Sequence, residues 1–158
     1  ANMSLTINPI GIIHSPYKEL GMIPFQAAAA ENVQGWIELD ADYVEGLKDL
    51  EGFSHILLLF QFHQSDGYSL TVNPPFKTGS HGVFATRAPK RPNPIGLSIV
   101  KLLSIEGNRI TFQKVDMLDG TPLLDIKPYV PGFDQQTDVR FGWLENAQKV
   151  GWDERSNG

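Results

Sequence analysis

Apolar and polar positions alternate through most of this chain, and the period is two rather than 3.6. Side chains two apart share a face of an extended strand, so the alternation predicts strands. Leu5–His14 alternates and ends at Ser15-Pro16, and predicts a first strand. Gln34–Leu39 predicts a second. Phe53–His63 is the most apolar stretch and runs without polar gaps, which predicts a strand buried on both faces. Leu70–Asn73 reads as a short edge strand before Pro74-Pro75, and Val83–Arg87 as a strand leading into a run of prolines. Leu97–Ile105 and Ile110–Met117 form the best hairpin, turning at Glu106-Gly107-Asn108-Arg109, where Gly and Asn tolerate positive φ. Leu123–Ile126 is a short strand stopped by Pro128.

Helical spacing is confined to short pieces. Asp40 or Asp42 caps a predicted helix with Val44, Leu47 and Leu50 on one face and Gly52 as its stop. A helical turn is predicted at Trp143–Lys149. The expected fold class is all-β, mainly antiparallel: a single barrel-like domain over 3–152 with one or two short helices and a polar tail at 153–158. Ala1 and Asn2, ahead of Met3, read as residues left over from expression.

Composition narrows the function classes. Of 158 residues, 41% are hydrophobic and 20% charged, which is globular. There is no cysteine, so thiolate nucleophiles, disulfides and Cys-ligated zinc are excluded. His14, His55, His63 and His81 lack paired ligand spacing, and no metal is assigned. The longest apolar run, Ile56–Phe60, is too short for a membrane helix, and no secretory signal is seen; no membrane partner and a cytoplasmic location are expected. No G-x-G-x-x-G or G-x-x-x-x-G-K-[ST] motif supports a doubly wound nucleotide fold or a phosphate-binding NTPase loop. Net charge is −5, against a nucleic-acid partner, but 77–114 carries Lys77, Arg87, Lys90, Arg91, Lys101, Arg109 and Lys114 against Glu106 alone. Local positive charge is what attracts phosphate, so RNA binding stays open.

One stretch combines stiffness with charge. Pro89, Pro92 and Pro94 fix φ and remove three N–H donors, and hold Ala88, Arg91 and Asn93 out of the α region. The result is an extended ribbon presenting Arg87, Lys90, Arg91 and Asn93 at a strand end, either a pre-organised ligand site or a charged connection.

The ribbon lies in G-V-F-A-T-R-A-P-K-R-P-N-P-I-G-L-S (82–98), which resembles the signature of the TrmO (TsaA-like) family. D-M-L-D-G-T-P-L-L-D-I-K-P-Y (116–129) and I-G-I-I-H-S-P-Y-K (10–18) resemble two further blocks of that family, in the same order. The resemblance implies a β-barrel methyltransferase, commonly a homodimer. It would use S-adenosyl-L-methionine to methylate N6 of threonylcarbamoyladenosine beside the anticodon, at position 37 of tRNA. It also implies cofactor contacts at Pro24, Phe25 and Gln26, at His63 and Gln64, at Arg87 and Leu97, and at Leu118, Asp119, Gly120 and Thr121. Arg91 and Asn93 are expected near the reacting adenine or the RNA backbone. Asp125, Lys127 and Tyr129 fall on one face of an extended segment, where a carboxylate, an ammonium and a phenol can take a proton from N6 or orient it, or Asp125 and Lys127 form only an ion pair. Two other readings stand beside this one: a non-enzymatic RNA- or ligand-binding barrel, and a methyltransferase on another nucleotide or small substrate.

Overall fold

The computed structural model describes residues 3–23 and 32–147. Six antiparallel strands close into a barrel. They are β1 (Gly11–His14), β2 (Gln34–Leu39), β3 (His55–Gln61), β6 (Ile95–Glu106), β7 (Arg109–Gln113) and β8 (Thr121–Pro128), in the ring order β1-β2-β7-β6-β3-β8. A two-stranded ribbon, β4 (Thr71–Val72) with β5 (His81–Gly82), stands outside the ring. Two single-turn helices follow, α1 (Pro131–Asp134) and α2 (Leu144–Ala147). The all-β expectation holds.

The core is the inward half of the alternation. Ile13, Ile37 and Ile110 stand opposite one another on β1, β2 and β7, all fully buried. Ile56 and Leu58 on β3, Val100 on β6 and Leu123 on β8 close the other side. Phe112 fills the centre because its neighbour across the ladder is Gly35, where a Cβ would stand 3.1 Å from the Phe112 ring and 2.9 Å from the His14 carbonyl.

Register also decides where the connections lie. His14 is level with Trp36, Gln34 with Gln113, Gln61 with Ile95, and Ile13 with Thr121. The β1–β2, β3–β6 and β7–β8 connections therefore all leave the same end of the barrel. These are the connections that carry the three motif blocks and His63-Gln64. The opposite end is covered by 3₁₀ turns at Ala41–Leu47 and Leu50–Gly52, which bury Leu47 and Leu50.

Several sequence expectations need correction. The strand predicted over Leu5–His14 begins at Gly11; Leu5 and Ile7 alternate correctly but are exposed, with no strand beside them. The helix after Asp40 is 3₁₀, and Asp40 makes no side-chain cap. β3 is not buried on both faces: Ile56, Leu58 and Phe60 are buried while His55, Leu57 and Leu59 are half-buried, because a single-walled barrel has one interior. Val83–Arg87 is not a strand. Val83–Ala85 forms a 3₁₀ turn that buries Val83 alone. The predicted turn at Trp143–Lys149 is seen as α2, and its last residues lie outside the described ones, as does the 153–158 tail.

Candidate active site

The proline ribbon is folded rather than straight. The Arg91 N–H donates to the Pro89 carbonyl (2.9 Å) and the Ile95 N–H to that of Asn93 (2.7 Å), giving two three-residue turns. Arg91 Nη1 donates to the carbonyls of Thr86 (2.9 Å) and Ala88 (3.2 Å), so this side chain holds the curl from inside. The prolines keep the segment out of helix and ladder as expected. The far end is tied down as well: the Phe62 N–H donates to the Pro94 carbonyl (2.8 Å). Ser65 N–H closes a turn onto the Phe62 carbonyl (3.0 Å), and the two central residues of that turn are His63 and Gln64.

A cavity of about 380 Å³ opens between the ribbon and the barrel mouth, lined by Phe60, Phe62, Thr86, Arg87, Arg91, Ile95, Gly96, Leu97, Ser98 and Asp116. It is within the size range of small-molecule sites. Glycine at 96 makes part of its wall: a Cβ there would stand 2.4 Å from the Phe60 ring. Phe60 and Phe62 meet edge to face, 5.4 Å between centroids. Arg87 is exposed and makes no ion pair or side-chain hydrogen bond with the described residues, so its guanidinium is free to hold a carboxylate or phosphate.

Asp116 was not singled out from the sequence. It follows β7, and its Oδ1 accepts the Ser98 hydroxyl at 3.0 Å, across 18 residues of chain. Asp116 is an exposed residue on the cavity wall. Loss of hydration nevertheless pushes its pKa above the ordinary carboxylate value, against the opposing hydrogen bonds from Ser98 and its own backbone. The only earlier signal was its place at the head of the 116–129 block.

The Leu118–Thr121 turn is used differently. Its Thr121 N–H and hydroxyl both donate to the Leu118 carbonyl (3.3 and 2.6 Å), and Gly120 sits at φ +84°. Leu118 and Thr121 are buried. Asp119 Oδ1 accepts the Ser15 N–H (2.9 Å) and Oδ2 accepts Lys18 (2.8 Å), with His14 Nδ1 3.5 Å away. Burial would raise the Asp119 pKa, but Lys18, the Ser15 amide and His14 together lower it. The Asp119 and Gly120 N–H groups donate to the carbonyls of Tyr17 (2.7 Å) and Ile13 (2.9 Å), so the turn's amides are spent on holding it against β1.

Asp125, Lys127 and Tyr129 are not gathered with the arginines in one chain. Asp125 stands in register with Leu59, and Leu59 with Leu97, so two strand spacings, about 10 Å, separate it from Leu97. Asp125 pairs with Lys127 at 3.0 Å, both partly exposed. Tyr129 lies beyond β8 at the opposite end, its N–H donating to the His55 carbonyl (3.0 Å) and its ring edge-on to His55. A second groove of about 500 Å³ at that end includes Asp125 but none of the arginines. Asn93 is exposed on the ribbon. Pro24, Phe25 and Gln26 lie outside the described residues, on the β1–β2 connection that leaves the motif end. The basic segment is not one patch, since Arg109 lies over the Trp36 ring at 3.9 Å and Arg91 is bound into the ribbon. Among the described residues, no group of His, Asp and Glu is placed to hold a metal ion, and no helix is long and apolar enough to cross a membrane.

Comparison with known proteins decides the family. Residues 12–135 match the model of the tRNA-methyltransferase O N-terminal domain. The chain belongs to that family. The matched span of this TrmO-family chain runs from β1 through the helical turn α1, and so takes in the whole ring and all three motif-bearing connections. A Pyrococcus abyssi protein named "Probable S-adenosyl-L-methionine-binding protein" is 54% identical over 149 residues, covering 94% of this chain and 81% of that protein. The Escherichia coli tRNA (adenine(37)-N6)-methyltransferase is 38% identical, over 91% of this chain and 66% of its own length. A crystal structure of TrmO from Pseudomonas aeruginosa superposes with a TM-score of 0.73 at 44% identity, covering 89% of this chain and 62% of that one. The chain thus spans most of the archaeal relative and about two thirds of the bacterial proteins.

Proposed function

We propose that this protein is an S-adenosyl-L-methionine-dependent methyltransferase acting on N6 of adenosine 37 of tRNA, with the threonylcarbamoyl-modified nucleoside as acceptor. The observation that carries the reading is the convergence of Arg87, Leu97, Phe60, Phe62 and Asp116 on one cavity beside the proline ribbon, in a family whose bacterial member bears that activity in its name.

The residues present suit the cofactor. Bound there, S-adenosylmethionine supplies a methyl group activated on a sulfonium. The free Arg87 guanidinium fits its carboxylate, and the Phe60 and Phe62 rings give an apolar wall. The His63-Gln64 and Leu118–Thr121 turns, with Pro24, Phe25 and Gln26, are assigned to the same ligand because these connections leave the same end of the barrel. Holding donor and acceptor at attack distance supplies much of the rate, about 7–11 kcal/mol in well-oriented systems. The stapled ribbon suits that task, with Asn93 exposed on it toward the acceptor.

The outer face of β3, β6 and β8 supports a homodimer. Ile95, Leu97 and Ile99 are each about 40% exposed in one apolar row, with Leu103 beyond Lys101 and with Leu57 and Leu59 half-buried beside them. Pairing of two copies through this face would cover the row and bring Asp125 and Lys127 of one copy toward the cavity of the other, where they would orient the acceptor. A tRNA substrate puts the reaction in the cytoplasm. Incubation with methyl-labelled cofactor and tRNA that carries threonylcarbamoyladenosine at position 37 without the N6-methyl group, followed by nucleoside mass analysis, tests the reading. Label on another nucleotide supports the wider methyltransferase reading, and cofactor-independent RNA binding supports the non-enzymatic one.

A further inference from the structure

We propose that Asp116 is the general base of the methyl transfer, with Ser98 as the residue that positions it. The proposal rests on the methyl-transfer reading above and assigns the step that Asp125 serves poorly. Asp125 is paired with Lys127 at 3.0 Å and stands two strand spacings from Leu97, away from the cavity of its own chain. Asp116 faces the cavity shared by Arg87, Arg91 and Leu97, and its Oδ1 is anchored by the Ser98 hydroxyl at 3.0 Å. Besides Ser98, only its own backbone N–H bonds the carboxylate, and it makes no ion pair with the described residues.

The step balances. The methyl–N6 bond forms as the methyl–sulfur bond breaks, and that bond's electron pair stays on sulfur, which becomes a neutral thioether. The N6 proton passes to the Asp116 carboxylate and later to water. A base works best when its pKa is near the working pH, and the partial loss of hydration at the cavity wall moves the exposed Asp116 in that direction. The charged and titratable groups around it fit this task. Arg91 lines the same cavity and offsets the charge that develops on the acceptor, while Arg87 is taken up by the cofactor's carboxylate. Tyr17, on the connection after β1, is near enough for the Asp116 charge to add to the effect of burial in raising the phenol's pKa. The Tyr17 hydroxyl is itself buried with no hydrogen-bond partner among the described residues. Asp119, three residues on, is neutralised by Lys18 and does not compete.

The test compares the whole protein with Asp116→Asn and Ser98→Ala. Cofactor affinity is measured by calorimetry, turnover is followed on tRNA across pH, and the Asp116 carboxyl is titrated by carbon NMR in the protein without ligand. The expected result is that D116N binds cofactor within about threefold of the parent but turns over at least about 100-fold more slowly, in the range typical of a lost general base. The acidic limb of the pH–rate curve should disappear with it. In the parent the Asp116 titration should lie above that of an ordinary aspartate, and S98A, which loses a hydrogen bond to the charged form, should move it higher. Turnover retained by D116N overturns the proposal. So does a parallel fall in cofactor affinity, which would make Asp116 a binding residue. An Asp116 titration at or below the ordinary value overturns it without any variant, should D116N fail to fold. A parent protein that transfers no methyl group sinks the reading beneath; an active parent with an active D116N sinks this inference alone.

Discussion

Asp119 accepts the backbone N–H of Ser15 at 2.9 Å, and this one contact joins the first and last motif blocks across 104 residues of chain. The same carboxylate holds Lys18, while the Ser15 hydroxyl donates to the Met117 carbonyl at 2.7 Å. The Leu118–Thr121 turn is thereby fixed against the β1–β2 connection before any ligand arrives.

Asp119→Ala should therefore destabilise the protein by about 1–3 kcal/mol, the cost of leaving a partly buried N–H without its charged acceptor. The exposed Lys18 adds little to this. The folded pKa of Asp119 is lowered, so its contribution is complete above the unfolded aspartate value of about 3.9 and is lost as pH falls through the lower folded one. Denaturant unfolding of the parent and variant should differ at pH 7 and converge toward pH 3. A constant difference across that range would contradict this role.

Arg91→Lys keeps the charge and loses the fork that reaches both Thr86 and Ala88. Turnover should fall about tenfold or more, while global stability changes by about 1 kcal/mol, since the ribbon lies outside the barrel ladder. Steady-state kinetics with a parallel thermal melt checks this. Parental kinetics would show that Arg91 does not set the ribbon's shape.

Gly96→Ala places a methyl group where the Phe60 ring already stands. Overpacking of this kind costs about 1–3 kcal/mol. Moving Phe60 also deforms the cavity wall, so cofactor affinity by calorimetry should drop along with stability. Unchanged affinity in the folded variant would place the cofactor elsewhere.

The strands were largely legible in the sequence because a barrel has one interior and strict alternation records it. β2 matches its predicted bounds, and the β6–β7 hairpin turns at Gly107-Asn108, with Gly107 at φ +61° while Asn108 does not take a positive φ. Misreadings arose where alternation had no partner strand. Leu5 and Ile7 have the pattern without a neighbour, and Val83 is one buried anchor of a surface turn. The site was legible as a set of motifs but not as a geometry. Ser98 and Asp116 meet only because the intervening hairpin folds, and Tyr129 is carried to the far end of the barrel by the length of β8. Nothing in local spacing encodes either distance.

Leu97→Glu puts a charge into the exposed apolar row of β6. Light scattering should show the parent as a dimer and this variant as a monomer, with the barrel's strand signature intact. Asp125→Ala should then lower turnover by about tenfold at unchanged cofactor affinity, as expected of a residue acting on the acceptor side; normal turnover would remove Asp125 from the reaction.

The most direct measurement of the central claim is nucleoside mass analysis of tRNA after incubation with the protein and a methyl-labelled donor. The account predicts one labelled methyl group on N6 of the threonylcarbamoyl-modified adenosine at position 37, abolished by Arg87→Ala. A folded protein that neither binds the donor nor labels that nucleoside would contradict it.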